Sequence, residues 1–277
     1  MVKIVTESTA DIPPEMAVEL GITIVPSYVV FGSETYRDGV ELTKEQFYEK
    51  LVTAREVPKT AAPPPAVYEE VYRQLSGKGD GIVSIHAAAS LSSLYSVASV
   101  AARAVPDVPI AVIDSEQITM GYGWMAVAAA EAARRGETLE QIADLVEGMK
   151  ERSRVLAVLD TLDFVHRGGR VGWAQAMIGT LMRIKPIIEV WRGKVKLLER
   201  ARTQVRSFAR LMDLIQALGP LERAIVLHAN APGEAEHLAD QLQAIAPHWK
   251  RLIGQAGITI ASHTGPGAVG IACVTAE

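Results

Sequence analysis

The sequence predicts an α/β protein of two domains. Residues 1–155 should form a mostly parallel sheet flanked by helices, and residues 156–277 an α+β domain with a mixed sheet. Three observations lead there. The chain has 277 residues, and a domain usually takes roughly 100–200. As far as about residue 152, short apolar runs alternate with helical stretches, the pattern of a parallel sheet covered on both faces. Beyond that point a hairpin signal appears and the alternation is lost.

Taken in order, Val2–Val5 reads as a strand, Pro13–Leu20 as a short helix with Asp11 near its cap, and Ile22–Val25 as a second strand. Phe31 to Gly39 reads as a Gly-rich turn region, Glu45–Val52 as helix, and Pro58 to Pro65 as a proline-rich connection. Ala66–Leu75 places Val67/Val71 and Tyr68/Tyr72/Leu75 at helical spacing. Gly81–Ile85 is a buried strand, Ser92–Ala104 an alanine-rich helix, Ile110–Ile113 a strand, and Met120–Arg135 a helix stopped at Gly136. Thr138 and Gln141 form a capping box for a helix whose stripe is Leu139, Ile142, Val146 and Met149.

In the second half Val155–Leu159 is a strand and Thr161–Arg167 a helix ended by Gly168-Gly169. Trp173–Arg183 is helical. Ile187–Trp191 and Lys194–Leu198 flank Arg192-Gly193 as a hairpin. Val205–Leu218 is an amphipathic helix with Val205, Phe208, Met212, Ile215 and Leu218 inward. Arg223–His228, Ile258–Ala261 and Val269–Val274 read as strands.

Composition narrows the function. Hydrophobic residues make up 49% and charged residues 22%, which excludes wholesale disorder. The net charge of −4 offers no basic excess for phosphates, so nucleic acid is not expected as a partner. The single cysteine, Cys273 in a strand-like run, excludes an internal disulfide and a multi-cysteine zinc site. The longest uncharged stretch, Gly81 to Ala102, carries several serines and His86, so no integral membrane segment is expected. The N-terminal residues enter a strand-like run without a signal-peptide pattern, so the expected location is cytoplasmic.

Most motifs fail on context. Gly265-Pro-Gly267-Ala-Val-Gly270 fits a dinucleotide fingerprint, but strand rather than helix follows it. Gly121-Tyr-Gly123-Trp-Met-Ala126 opens a helix but is separated from its strand, so close helix packing is the better use of its glycines. There is no phosphate-binding P-loop, and no cofactor is expected. The six histidines show no metal-ligand spacing, so no metal is expected either. Glu7 and Asp11 are four positions apart and read as helix caps rather than as a phosphatase pair. Leu91-Ser92-Ser93-Leu94 lies between strand and helix but lacks the glycines of a nucleophile elbow. A serine hydrolase or acyltransferase using Ser92 with His263 as base is therefore the alternative reading.

What remains is a set of hydroxyls and cations in predicted loops: Thr60, Ser92 and Ser93 at a helix N-terminus, Arg170 after Gly168-Gly169, and His263 with Thr264. Such groups suit a small anion. The ordered motifs carry a resemblance. Val5-Thr-Glu-Ser-Thr-Ala-Asp11, Tyr36-Arg-Asp-Gly39, Val112-Ile-Asp-Ser115 with Thr119-Met-Gly-Tyr-Gly123, Leu159-Asp-Thr-Leu162, Arg167-Gly-Gly-Arg170, Ile184-Lys-Pro-Ile187, Arg202-Thr203 and His263-Thr-Gly-Pro-Gly-Ala268 follow one another along nearly the whole chain. Together they resemble the DegV family of bacterial fatty-acid-binding proteins.

The resemblance implies two α/β domains holding one long-chain fatty acid, its acyl chain in an apolar tunnel and its carboxylate on hydroxyls. It also implies a non-catalytic role in phospholipid metabolism, with the acid presented to a separate fatty acid kinase catalytic protein in some members. Carried over, the head-group hydroxyls are Thr60 and Ser92, with His263 and Arg170 nearby. The chain departs from the family at Ala61 and Ala62, in place of serine and glutamine, and at Ser93, in place of glycine. The helices Met120–Ala133, with Met120, Trp124 and Met125, and Trp173–Arg183, with Met177, Ile178, Leu181 and Met182, read equally as tunnel wall or as plain core.

Overall fold

The computed structural model describes residues 1–53, 57–77, 80–175 and 184–277. Its first layer is a four-stranded parallel sheet of β1 (Lys3–Glu7), β2 (Thr23–Val25), β6 (Ile82–His86) and β7 (Ile110–Asp114), in the order β2-β1-β6-β7. Alternate residues of these strands enter two different cores. Ile4, Val83 and Ile85 face α5 (Met120–Arg134) and α6 (Leu139–Met149), while Val5 and Ile82 face Tyr68 and Tyr72 of α3 (Pro65–Leu75) and Ala98 of α4 (Leu94–Arg103). That two-sided burial explains the nearly continuous apolar strands. The short α1 (Pro14–Leu20) joins β1 to β2.

A second, three-stranded antiparallel sheet interrupts this layer: β3 (Tyr28–Phe31), β4 (Glu34–Arg37) and β5 (Lys59–Ala61), in the order β4-β3-β5, with α2 (Lys44–Thr53) between β4 and β5. This corrects the sequence reading. The Gly-rich turn region is a hairpin folding at Gly32-Ser33, and the proline-rich connection contains a strand. The run Glu-Thr-Tyr-Arg lacks apolar alternation because β4 is largely exposed.

The C-terminal domain is built on a six-stranded mixed sheet in the order β10-β9-β8-β13-β11-β12. Its strands are β8 (Ser153–Val158), β9 (Lys185–Trp191), β10 (Lys194–Ala201), β11 (Leu221–His228), β12 (Ile253–Gln255) and β13 (Val269–Thr275). Only β11 and β12 run parallel; the other neighbours are antiparallel. The short helices α7 (Asp163–Gly168) and α8 (Gly172–Gln175) follow β8. The helices α9 (Gln204–Ala217) and α10 (Pro232–Ile245) cover one face through Phe208, Leu211, Ile215, Leu238 and Leu242. Cys273 is buried in this core.

The other face of the C-terminal sheet lies against α5. Val155, Val190, Ile225, Leu227, Ala272 and Val274 share one core with Met120, Tyr122, Trp124 and Met125. Helix α5 is therefore held between two sheets, which is why it carries no charged residue before Glu131. Its glycines permit the approach. A Cβ on Gly121 would lie 2.7 Å from Val155, and one on Gly123 would lie 2.6 Å from the Ala10 carbonyl. Met120 and Met125 are thus plain core. The predicted helix residues 176–183, with Met177, Ile178, Leu181 and Met182, lie outside the described residues.

Several local readings are corrected. Ile258–Ala261 is not a strand but the start of helix α11 (Ile258–Thr264). Val205 is 78% exposed, because it occupies the first turn of α9, outside the stripe of Phe208, Leu211, Met212 and Ile215 that faces the sheet. Helix α10 and strand β12 have no counterpart in the sequence reading. Yet Ala235, Leu238, Ala239 and Leu242 carry the helical period behind Pro232. Neither Glu7 nor Asp11 caps α1, whose N-cap Pro13 has no side-chain partner.

Candidate functional site

A cavity of about 360 Å³ opens where the parallel layer, the small sheet and the C-terminal sheet meet, and Thr60, Ser92, Ser93, Arg170, His263 and Thr264 all line it. Each arrives on a different support. Thr60 sits on β5 opposite Val29 of β3, so both side chains share the inward face of the small sheet. Ser92 and Ser93 end the loop from β6, and Ser93 is the N-cap of α4. Arg170 follows the left-handed Gly169 that closes α7. His263 and Thr264 occupy the last turn of α11 rather than a loop.

The central contact joins Thr60 Oγ1 to His263 Nε2 at 3.0 Å. Burial, with the charge of Arg170 adding to it, lowers the imidazole to a pKa of about 4, so the ring is neutral near pH 7. His263 Nδ1 is buried without a partner among the described residues. A buried N–H without an acceptor is rarer and costlier than an unmatched lone pair. The proton therefore belongs on Nε2, which donates to Thr60 Oγ1. Thr60 then keeps its own hydroxyl proton for a group in the cavity.

The other candidates differ. Ser92 is half-buried, and its oxygen accepts only a long 3.4 Å bond from the Leu94 amide. Ser93 is exposed, and at φ −82° it has no need of a glycine backbone. Arg170 is exposed and donates to the Gly168 carbonyl at 2.7 Å. Thr264 donates to the Ile260 carbonyl at 3.1 Å, so its hydroxyl proton is engaged by its own helix. No hydrogen bond joins Ser92 to His263 among the described residues, and no carboxylate orients the ring. The arrangement thus lacks the nucleophile–base pair a serine hydrolase needs.

Sequence reasoning passed over other lining groups. Thr9 and Ser27 face the cavity and bond to each other at 3.2 Å. The apolar wall comes from Ile118, Val165, Val171, Ile188, Val190 and Val195. Val190 and Val195 are directly paired across the β9–β10 hairpin, and that pairing was readable from the Arg192-Gly193 turn between them. The hairpin is fastened to the serine loop by Ser90, which donates to the Gly193 carbonyl at 2.6 Å.

Beneath that loop lies the fully buried carboxylate of Glu7. It accepts from the Ala87 amide at 2.9 Å and from the Tyr122 hydroxyl at 2.9 Å, and it contacts His86 Nδ1 at 2.6 Å. Far from capping a helix, Glu7 fixes where the chain leaves β6 for Ser92. Among the described residues no cluster of His, Cys, Asp and Glu side chains is arranged to hold a metal. None of their helices is long and apolar enough to cross a membrane.

Fold and cavity together define an α/β protein with a parallel layer, a mixed-sheet layer and a preformed, largely apolar pocket at their junction. The chain belongs to the DegV family: the family model described as "Uncharacterised protein, DegV family" matches residues 1–276. A DegV domain-containing protein of Streptomyces coelicolor is 38% identical over 274 residues, covering 98% of this chain and 97% of its own length. Among solved structures, the chain is similar to a DegV family protein from Thermus thermophilus described for its fatty acid binding, with a TM-score of 0.92, 30% identity and 99% of each chain covered. It is also similar to DegV from Bacillus subtilis, described as a fatty acid binding protein, with a TM-score of 0.90, 34% identity and 99% of each chain covered.

Proposed function

We propose that this protein binds one long-chain fatty acid in the cavity, with the carboxylate on Thr60 and Ser92 and the acyl chain along the valine and isoleucine wall. The observation that carries the reading is the Thr60–His263 bond. A neutral imidazole donating to Thr60 leaves a hydroxyl proton for an oxyanion at the edge of an otherwise apolar space. Related chains of the same fold, from Thermus thermophilus and Bacillus subtilis, are described as fatty acid binders, which supports the same ligand class here.

Apolar burial supplies the affinity. A chain of about 14 methylenes contributes roughly 11 kcal/mol at about 0.8 each, before the costs of association. The polar groups then need only to fix the head. Arg170, exposed beside His263, suits the further step in which the bound acid is presented to a separate fatty acid kinase catalytic protein, since a guanidinium matches a phosphoryl group arriving at the carboxylate.

Extraction of the purified protein followed by mass spectrometry should release a fatty acid. Delipidated protein should bind acids of roughly 14 to 20 carbons in a titration; no affinity for any of them would overturn the binding reading. Incubating the loaded protein with a fatty acid kinase catalytic protein and ATP should yield an acyl phosphate that hydroxylamine traps. If none forms, the presentation step is withdrawn and binding stands.

A further inference from the structure

Asp11 and Asp38 take no part in the head-group contacts, yet both grip the start of α11, Asp38 buried and Asp11 half-buried. Asp11 Oδ1 accepts from the Gly257 amide at 2.8 Å, and its Oδ2 accepts from the Thr119 hydroxyl at 2.5 Å. Asp38 Oδ2 accepts from the Ser8 hydroxyl at 3.0 Å and from the Thr259 hydroxyl at 3.1 Å. The two carboxylates converge. A Cβ placed on Gly257 would lie 2.4 Å from Asp11 Oδ1 and 3.7 Å from Asp38 Oδ2. Three stretches distant in sequence, 8–11, 38 and 257–259, are thereby joined at one point. From there α11 runs to the cavity, where Thr259, Ile260, His263 and Thr264 line the wall.

Two like charges at such a point oppose each other, and what relief there is comes from these donors and from one lysine. Lys44 is the cation facing both, and its ammonium donates to the Gln255 carbonyl. Tyr48 and Tyr122 face Asp11 with hydroxyls that burial keeps protonated. The Tyr48 hydroxyl has no partner among the described residues, and that of Tyr122 donates to Glu7. Burial raises the Asp11 carboxyl to about 7. The charge of Lys44 and the Thr119 hydroxyl pull it back, and the charge of Asp38 pushes it further up. Burial raises Asp38 as well.

We propose that Asp11 and Asp38 are positioning residues for the head-group site, forming a clasp on α11 that holds a proton when shut and loses it to solvent when the helix lifts away. The exchange of the fatty acid then quickens as pH rises. The sign follows from linkage. An acid with a raised value in the closed form and an ordinary one in the open form favours opening progressively between about pH 4 and pH 7, and adds nothing beyond that. One proton sets a ceiling of about tenfold per pH unit.

The ligand half of this proposal rests on the fatty-acid reading; the helix half does not, and two measurements keep them apart. In the first, protein loaded with cis-parinaric acid, a fluorescent fatty acid, is mixed with excess albumin between about pH 5 and pH 8, and release is followed. Wild type should release about tenfold faster at pH 7.5 than at pH 5.5. Asp11→Asn keeps a carbonyl for Gly257, suits the positive φ of 54° at this position and carries no charge. It should release slowly at every pH. Asp38→Asn should move the rise to lower pH, because the like charge is gone. Parallel profiles for wild type and Asp11→Asn overturn the proposal.

In the second, amide hydrogen exchange of residues 257–264 is followed in ligand-free protein over the same range and corrected for intrinsic rates. Opening should rise with pH in wild type and stay flat in Asp11→Asn. If the protein takes up no probe, the fatty-acid reading falls and this measurement alone decides the clasp. If Asp11→Asn does not fold, the wild-type profile and its displacement in Asp38→Asn decide it. A wild-type segment whose opening ignores pH overturns the proposal.

Discussion

Two openings in this protein invite comparison. The larger, about 760 Å³, lies between α1, α5, the start of β11 and the loop after α10, and is floored by Trp124 and Trp249. The smaller, about 360 Å³, holds every residue that the sequence nominated. Volume alone would choose the first. Several of its polar groups, however, are already matched inside the protein. Arg223 forms a bidentate pair with Glu131 at 3.2 and 2.6 Å, and the indole N–H groups of Trp124 and Trp249 donate to the Ala272 and Ala224 carbonyls. In the smaller cavity the Thr60 proton and the weakly engaged Ser92 oxygen remain for a ligand. A binding site is marked less by its size than by hydrogen-bonding capacity left unused in apolar surroundings.

Substitutions should separate the two openings. The largest effect is expected in the larger one. Trp124→Ala should cost about 3–5 kcal/mol of stability in denaturant unfolding while fatty acid affinity of the folded fraction is unchanged; a fall in that affinity would erase the distinction. In the smaller cavity, Ala62→Trp should fill acyl space and weaken binding about a hundredfold with little change in stability. Unaltered affinity would show that the chain runs elsewhere.

Ser92→Ala and Thr60→Val should each weaken binding about ten- to a hundredfold, since a carboxylate short of one charge-assisted bond loses roughly 1.5–3 kcal/mol. Their combination should be non-additive because both hold one ligand; two silent variants would remove the head group from this place.

The pH response of stability sets the smaller cavity against the carboxylates at the start of α11. The His263 ring is lowered to about 4 by burial. Its contribution is complete above the unfolded value of about 6.5 and is lost as pH falls toward 4. Asp11, raised to about 7, contributes with the opposite sign over the same interval. His263→Asn should therefore flatten the acid side of the thermal-stability profile, while Asp11→Asn should steepen it. The smallest effect is expected of Ser93→Gly, which should change affinity by less than about twofold because Ser93 already has an ordinary helical backbone.

The candidate site was legible because its residues stand in motifs that follow one another along the chain. Thr60, Arg170 and His263 could be named without any knowledge of the path between them. What was hidden depended on partners far along the chain. The β-branched run Ile258-Thr-Ile260 reads locally as a strand. It is helical because Asp11, 246 residues from Gly257, and Asp38, 221 residues from Thr259, receive the groups at its start. Glu7 carries no local sign that His86, Ala87 and Tyr122 will surround it. Strand β4 stayed hidden for a simpler reason: an exposed edge strand has no apolar alternation to display.

Helix α5 has a consequence for how the chain acquires its shape. It is complete by residue 134, but the sheet that covers its second face begins at Ser153 and is finished only by β13, close to the C-terminus. During synthesis, the surface around Gly121, Trp124 and Met125 must wait for its cover until β13 has been made. Until then, the nascent protein presents an apolar flank of the kind that chaperones hold and that neighbouring nascent chains can engage. A ribosome stalled just after residue 150 should therefore carry a sticky intermediate, whereas release of the last strand should seal both layers in a single cooperative step.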